Sequence, residues 1–227
     1  MAYDNNNAQV FRHDYRAGIA RWYNPWLHAG FVQLYGWLAI AGLLSTLEEV
    51  VVWQWLLLPL VLVFFSWGEY QVHKRLGHQK TRLGRLFYKR HTGDHHSFFI
   101  DSMMVYEQAR DWRVILFPAW LIVLYSVPLL LIWLALRPLD SNLAALFCAG
   151  MLLGYLLYEI IHACEHLPDD HMLAQWPWIR QMRHYHALHH RRELMHSHNF
   201  GIVHPLMDWF YGTLYWEPLA QTKRSQD

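Results

Sequence analysis

Cysteine is almost missing from this chain: among 227 residues only Cys148 and Cys164 occur, sixteen positions apart. That spacing supports neither a disulfide framework nor an iron–sulfur cluster. An excess of either charge is also lacking. Nineteen Lys and Arg face eighteen Asp and Glu, for a net charge of +1 with histidine neutral, which excludes a protein built to grip nucleic acid through its phosphates. The first twenty residues hold no apolar core and carry Asp4 and Asp14, so they read as neither a secretory signal nor a transit peptide, and the first apolar stretch is expected to stay as an anchor. No low-complexity tract, long linker or internal repeat divides the chain, and a single domain over 1–227 is expected.

What the chain has in quantity is apolar sequence gathered into blocks. Hydrophobic residues make up 54% and tryptophan occurs thirteen times. Four blocks, over about 30–47, 50–67, 112–136 and 142–161, each approach the ~20 residues a helix needs to cross hydrocarbon. The stretch from Val114 to Leu136 contains no charge, longer than a buried soluble helix needs. The fold class that follows is all-α: an integral membrane protein of about four transmembrane helices, with a helical cap from 68–111 and 162–227. Basic residues lie before the first block, between the second and third, and after the fourth; Arg137 alone sits opposite. By the positive-inside rule both termini and the cap face the cytoplasm.

The chain therefore reads as two helical hairpins. The first turn carries Glu48 and Glu49; the second, Arg137 to Asn142, contains Pro138 and several turn formers that end one helix and cap the next. Pro118 and Pro128 predict a kinked or broken third span, which could open a groove to lipid. The aromatic stretch from His204 to Trp216 is too short to cross and is expected in the headgroup region.

Ten of the seventeen histidines fall into four tight groups: His73 with His78; His91 with His95 and His96; His162 with His166; His186 with His189 and His190. Imidazole is a frequent transition-metal ligand, and these groups sit just beyond apolar blocks, so a shared polynuclear metal site at one membrane face is expected, acting on a lipid. His162 and His166 are four apart and share a helix face. His186 is three and four positions from its partners and falls likewise on one helix. Gly77 is expected to end a helix before His78, and Gly93 to bring His91, His95 and His96 together through a turn. Ten donors exceed a four-ligand zinc site and suit two ions of five or six coordination with an open position.

Carboxylates near these groups could orient them. Glu69 precedes His73 by four residues and Glu159 precedes His162 by three, so each could accept the outer N–H of its histidine or ligate metal itself. Asp94, Asp101, Glu165 and Asp208 read as ordinary solvated acids, and Cys164 as a small buried hydrophobe. His13, His28, His171, His184, His196, His198 and His204 are expected mostly at the surface or interface, with His184 a possible outer partner of the metal group on its helix. Tyr106, Trp112, Tyr155 and Tyr158 read as belt or entrance residues.

At these residues the chain resembles the fatty acid hydroxylase superfamily of integral-membrane di-iron enzymes, which also contains sterol desaturases. The resemblance runs from about Phe65 to Pro218. It is carried by the four histidine spacings, by Glu69-Tyr70-Gln71-Val72-His73, by Gly154 to Glu159 leading into His162, and by Asn199-Phe200-Gly201, and is strongest to the fatty acid 2-hydroxylases of sphingolipid acyl chains. It implies an O2-dependent dinuclear iron centre with all ten grouped histidines as ligands, which oxidises an unactivated C–H bond of a membrane lipid; zinc could replace iron on purification. Two departures stand out: three residues separate His91 from His95 where the 2-hydroxylases commonly have two, and position 159 carries glutamate where they commonly have aspartate. The fused cytochrome-b5-like domain of many relatives has no room in the short N-terminus, so electrons are expected from a separate ferredoxin, cytochrome b5 or reductase at the basic cap. Competing expectations are a sterol or carotenoid hydroxylase or desaturase with the same cage, a metal transporter or sensor, and a bis-histidine haem carrier.

Overall fold

A computed structural model describes residues 5–218, leaving Lys223 and Arg224 of the basic cap outside the described residues. Three helices are long and apolar enough to cross a membrane: Pro25–Leu44, Val52–Gly77 and Ser141–Glu165. A further candidate, third in chain order, is a helix pair, Ala109–Ile115 and Trp120–Leu136, bent by 41°. In chain order the helices are α1 (Asn5–Gly18), α2 (Pro25–Leu44), α3 (Leu57–Val72), α4 (Arg85–Tyr88), α5 (His96–Phe98), α6 (Trp112–Ile115), α7 (Trp120–Leu136), α8 (Ser141–Glu165), α9 (Pro177–His189) and α10 (Leu206–Phe210). The only strand-like pairing among the described residues is a bridge between Ile100 and Met103.

Helix α8 is the axis of the bundle, with α2, α3 and α7 packed around it. Its small residues explain that position. Cys148, Ala149, Leu152 and Leu156 are buried against Val32, Ile40, Ile122 and Leu129 of the surrounding helices, while Leu34, Leu38, Leu60, Phe64, Leu130 and Leu134 point outward. Without a hydrophobic driving force between helices in lipid, close backbone approach sets the packing, and small residues permit it. Gly154 shows this most sharply: a Cβ there would fall 2.4 Å from the ring of Phe65 on α3. Gly154→Ala is expected to cost about 1–3 kcal/mol through overpacking. In a thermal melt in detergent its midpoint should drop, whereas Gly42→Ala, whose Cβ would meet nothing within 4 Å, should not fall; equal midpoints would contradict this packing.

The two hairpin turns meet at one end. Asn142 accepts from Glu48 N at 3.0 Å and donates to Glu48 O at 2.7 Å, and Gln54 donates to Asp140. Asp140 also caps α8 by accepting from Leu143 N at 2.9 Å, as the turn formers predict. All four histidine groups lie at the other end, with α1 docked beside them through Arg12 and Arg16.

The break in the third crossing falls at Pro118, while Pro128 is carried inside α7. A broken helix in a bilayer must find partners for its freed backbone groups. Arg90 donates to Arg113 O and Leu116 O, His28 Nε2 donates to Phe117 O at 2.8 Å, and Phe117 N donates to Glu159 at 3.2 Å. His28, expected at the surface, is therefore a buried tie across this break.

Candidate metal centre

All four histidine groups reach the centre through local helix geometry, two of them in an unexpected form. Helix α3 does not stop before Gly77. It widens into a π-helical turn over His73–Gly77, ending at His78, and a second π-helical stretch covers Lys89–His95 and ends at His96. A π turn closes i to i+5, which brings His73 over His78 and His91 over His96, pairs five residues apart. Gly77 is the last helical residue before His78, as the sequence suggests, whereas Gly93 lies inside the second π-helical stretch and breaks nothing. Gly77 also makes room, since a Cβ on it would lie 3.0 Å from the ring of His91. His162 lies on α8, with His166 as its last cap residue; His186 and His189 lie on α9, with His190 capping it.

The ten histidines of the sequence pattern converge. His73, His78, His91, His96 and His189 present ring nitrogens that all lie within 4.8 Å of one another, and His95, His162, His166 and His186 form a second set on the same criterion. The π turn at 89–95 thus sends His91 and His96 to the first set and His95 to the second. His190 joins the second set at its edge, its Nε2 3.2 Å from that of His95 and 3.0 Å from that of His186. Its ring also stacks on His96, with centroids 4.1 Å apart, so it links the two sets. Every one of the ten is buried.

Proton accounting shows that this arrangement suits cations. A carbonyl oxygen only accepts, so a ring nitrogen bonded to one carries the proton, and a neutral imidazole then offers a lone pair on its other nitrogen. His73 Nδ1 donates to Phe200 O at 2.5 Å and His189 Nδ1 to His198 O at 2.8 Å. In the second set His95 Nδ1 donates to Val114 O at 3.2 Å, His166 Nδ1 to Met104 O at 2.7 Å and His190 Nδ1 to Phe99 O at 2.7 Å. The inward nitrogens of His95 and His190 therefore confront each other at 3.2 Å as two acceptors with no proton between them. Such a contact is repulsive by itself and favourable around a metal ion. Burial, reinforced mainly by neighbouring imidazoles, lowers the pKa of His78, His91, His95, His96, His166, His186, His189 and His190. They are held neutral, the form that ligates metal.

Four of these five carbonyls come from two short straps. The first, His198 to Val203, serves His73 and His189, and two carboxylates hold it: Glu69 accepts from Ile202 N and from Val203 N, and Asp208 accepts from Phe200 N at 2.9 Å and Gly201 N at 2.7 Å. Asp208 also accepts from the hydroxyls of Tyr185 at 2.5 Å and Thr213 at 2.7 Å. The second strap, Phe99 to Met104, serves His190 and His166.

These contacts correct several sequence expectations. Glu69 does not reach His73; it holds the strap whose Phe200 carbonyl does. Glu159 spends its carboxylate on Phe117 N at the break in the third crossing instead of on His162. Asp208 and Glu165 are not solvated acids but fully buried, with Glu165 Oε2 3.6 Å from His186 Nδ1. His184 turns away from the centre and donates to Glu217 O at 2.6 Å. Among the missed groups, Asp208 had a readable signal: it follows Asn199-Phe200-Gly201 closely enough to fold back on those amides.

A family model for fatty acid hydroxylase matches residues 58–213, which include every grouped histidine. The chain belongs to the fatty acid hydroxylase family. Similar curated proteins are the fatty acid 2-hydroxylase of Mus musculus, 29% identical over 163 residues, and a dihydroceramide fatty acyl 2-hydroxylase of Arabidopsis thaliana, 27% identical over 150 residues. These alignments cover 70% and 64% of this chain but only 39% and 55% of those relatives. The visible hydroxylase domain of full-length Scs7p shares the fold, with a TM-score of 0.58 at 20% identity, covering 87% of this chain and 69% of that one. In this member of the fatty acid hydroxylase family two cavities adjoin the histidines. One, about 260 Å³, lies between α3, α7 and α8 and is lined by apolar and aromatic residues that include Phe65, Val72, Met151 and Tyr155, reaching Glu69 and His73. The other, about 190 Å³, opens past Leu83 and Leu86 to His91, His95 and His162. Phe87, Phe117, Leu121 and Tyr158 border both. Phe117 and Leu116 come from the break, so the bend in the third crossing shapes the groove.

Proposed function

We propose that this chain is an O2-dependent hydroxylase of a membrane lipid's acyl chain, a fatty acyl or sphingolipid acyl group, using two iron ions held by His73, His78, His91, His95, His96, His162, His166, His186, His189 and His190 within a single domain. The observation that carries this reading is the pairing of two buried, neutral imidazole cages with an apolar cavity that ends on one of them. Bound ferrous iron would supply reductive activation of O2 and oxidation of an unactivated C–H bond. The named 2-hydroxylases among its relatives support the acyl substrate.

The protein's part is positioning and exclusion of water. Phe65, Val72 and Met151 give an alkyl chain apolar contact in the larger cavity, which terminates beside His73. Phe117 stacks on Tyr158 with centroids 5.0 Å apart, and Phe87 meets Phe117 at 5.6 Å, closing the wall between the two cavities. The carbonyl straps fix ring orientation, so the open face of each cage is set before substrate arrives. Hydroxylation consumes one O2, two electrons and two protons and releases water, which calls for an external reductant such as a ferredoxin, cytochrome b5 or reductase. The cap bearing Lys80, Arg82, Arg85 and Lys89 lies next to a depression lined by Thr92, His96 and His196, a place where an acidic donor would approach the centre closely. The basic residues of the cap support a cytoplasmic placement of this face by the positive-inside rule.

Rival uses fit less well. Five ring nitrogens within 4.8 Å of one another leave no room for a porphyrin between them. A transport path would place ligands near mid-membrane, whereas these lie at one end of the bundle, opposite both turns. The test is expression in a host free of 2-hydroxylated lipids, with oxygen-18-labelled O2 and lipid mass spectrometry. The expected result is a labelled hydroxyl on an acyl chain. Unlabelled lipids, a new double bond, or a labelled sterol or carotenoid instead would overturn the acyl hydroxylase reading.

A further inference from the structure

Outside the residues that match the family model, α1 carries an arginine that is only 2% exposed, Arg12. Burying a guanidinium is costly unless it is paired and hydrogen-bonded, and here each of its three nitrogens donates. Nε donates to Phe98 O at 2.8 Å, Nη2 to Met103 O at 2.6 Å and Nη1 to Glu107 at 2.9 Å. The same group lies over the rings of Phe98 and Phe99, 4.9 and 5.3 Å from their centroids. Glu107 is shared with Arg16, which also holds the fully buried Asp111 at 2.8 Å.

The two carbonyls that Arg12 takes belong to the residues immediately before Phe99 and before Met104. Those next two residues supply the carbonyls that hold His190 and His166, each at 2.7 Å. Phe99 in addition donates its N–H to His95 O at 2.8 Å and stacks its ring on His166 at 4.0 Å. One side chain thus clamps both ends of the strap that orients two rings of the second set, His166 and His190. The first set has a separate strap, held by Glu69 and Asp208, with no contact to Arg12 among those described.

We propose that Arg12 is a positioning residue for the second metal ion: α1 acts as a clamp that sets the His166 and His190 rings through the Phe99 to Met104 strap, and it does so selectively for that ion. The inference rests on the two-ion reading above. A planar fork reaching two carbonyls is a task lysine cannot reproduce, since its ammonium is a single point of charge.

The test is metal retention by the full chain, purified in detergent and loaded anaerobically with ferrous iron, against increasing chelator. Wild type should keep two ions per chain, one for each set. Arg12→Ala should release one ion at a chelator concentration about 10–100-fold lower, the range expected for loss of a group that orients a ligand, with the other unaffected. Arg12→Lys, which preserves the charge pair with Glu107, should show the same selective loss to a smaller degree and serves if the alanine variant does not fold. Asp208→Asn should weaken the opposite ion. The combination Arg12→Ala with His189→Ala should keep neither ion tightly, whereas Arg12→Ala with His186→Ala should match His186→Ala alone. Wild-type retention of both ions in Arg12→Ala and Arg12→Lys, or an equal weakening of both, would overturn the clamp while leaving the two-ion centre standing. Absence of stoichiometric iron in wild type would overturn both.

Discussion

His189→Ala is expected to remove one of the two ions and to end lipid oxidation altogether. His189 sits at the end of α9 with its Nε2 2.9 Å from that of His78 and its outer nitrogen fixed by His198 O at 2.8 Å. Alanine leaves the first set with four donors and a buried gap where the fifth ring stood. The second set keeps its own histidines and its own strap, so metal analysis should show loss of one ion and retention of the other. Turnover should fall below detection, because chemistry that depends on a pair of ions has no partial form with one. His184→Ala, on the same helix but bonded to Glu217 O, is the matched control and should keep both ions. Full metal and full product from His189→Ala would strike that residue from the cage.

Acid should dismantle the centre within a narrow window. Burial depresses the folded-state pKa of the eight histidines that lie outside the spans, whereas in the unfolded chain each titrates near ~6.5. The native state then resists protonation that the unfolded state accepts. Stability from these groups is fully present above about pH 6.5 and is lost as pH falls below it, with a slope of about 1.4 kcal/mol per pH unit for each histidine. Protons also compete directly with metal for the inward nitrogens. Thermal midpoint and retained metal, followed from pH 8 downward, should hold steady and then collapse together as pH drops from about 6.5 toward 5. A profile that stays flat until the carboxylate range, near pH 4, would show that the histidines are neither buried neutral nor metal-bound.

How much of this was legible in the chain depends on the range of the interaction. The spans were readable because hydrocarbon imposes a length and forbids charge, and the turn at Arg137 to Asn142 because proline and a capping aspartate act locally. The convergence of ten histidines was readable from clustering alone. The π-helical turns were not. Glycine beside histidine looks like a helix end, and Gly77 is one, yet Gly93 is carried inside the second π-helical stretch. The ring of His91, fourteen residues on, lies against the place a Cβ on Gly77 would take, a contact that leaves no local mark. The stretch over Lys89–His95 also accounts for the extra residue between His91 and His95: the wider helix places His91 over His96 and releases His95 to the other set.

The carboxylates misled for a related reason. Glu69 and Glu159 stand one helical turn before a histidine, the spacing at which a second group could orient it. In the fold their oxygens go to backbone amides at Ile202 and Phe117, far away in sequence. Glu69 still acts on His73, but through the strap it holds. Arg12 and Asp208 are the clearest examples of groups whose importance lies in tertiary contacts, each bonded twice to the backbone of a loop that carries no histidine ligand of its own.

Whether the two imidazole sets hold a pair of iron ions is read from the iron-edge X-ray absorption spectrum of the purified, iron-loaded chain. Two irons per chain are expected, one for each set, surrounded by imidazole nitrogen with no sulfur neighbour. Iron that washes away entirely, or that is retained with sulfur or porphyrin scattering, would contradict that expectation.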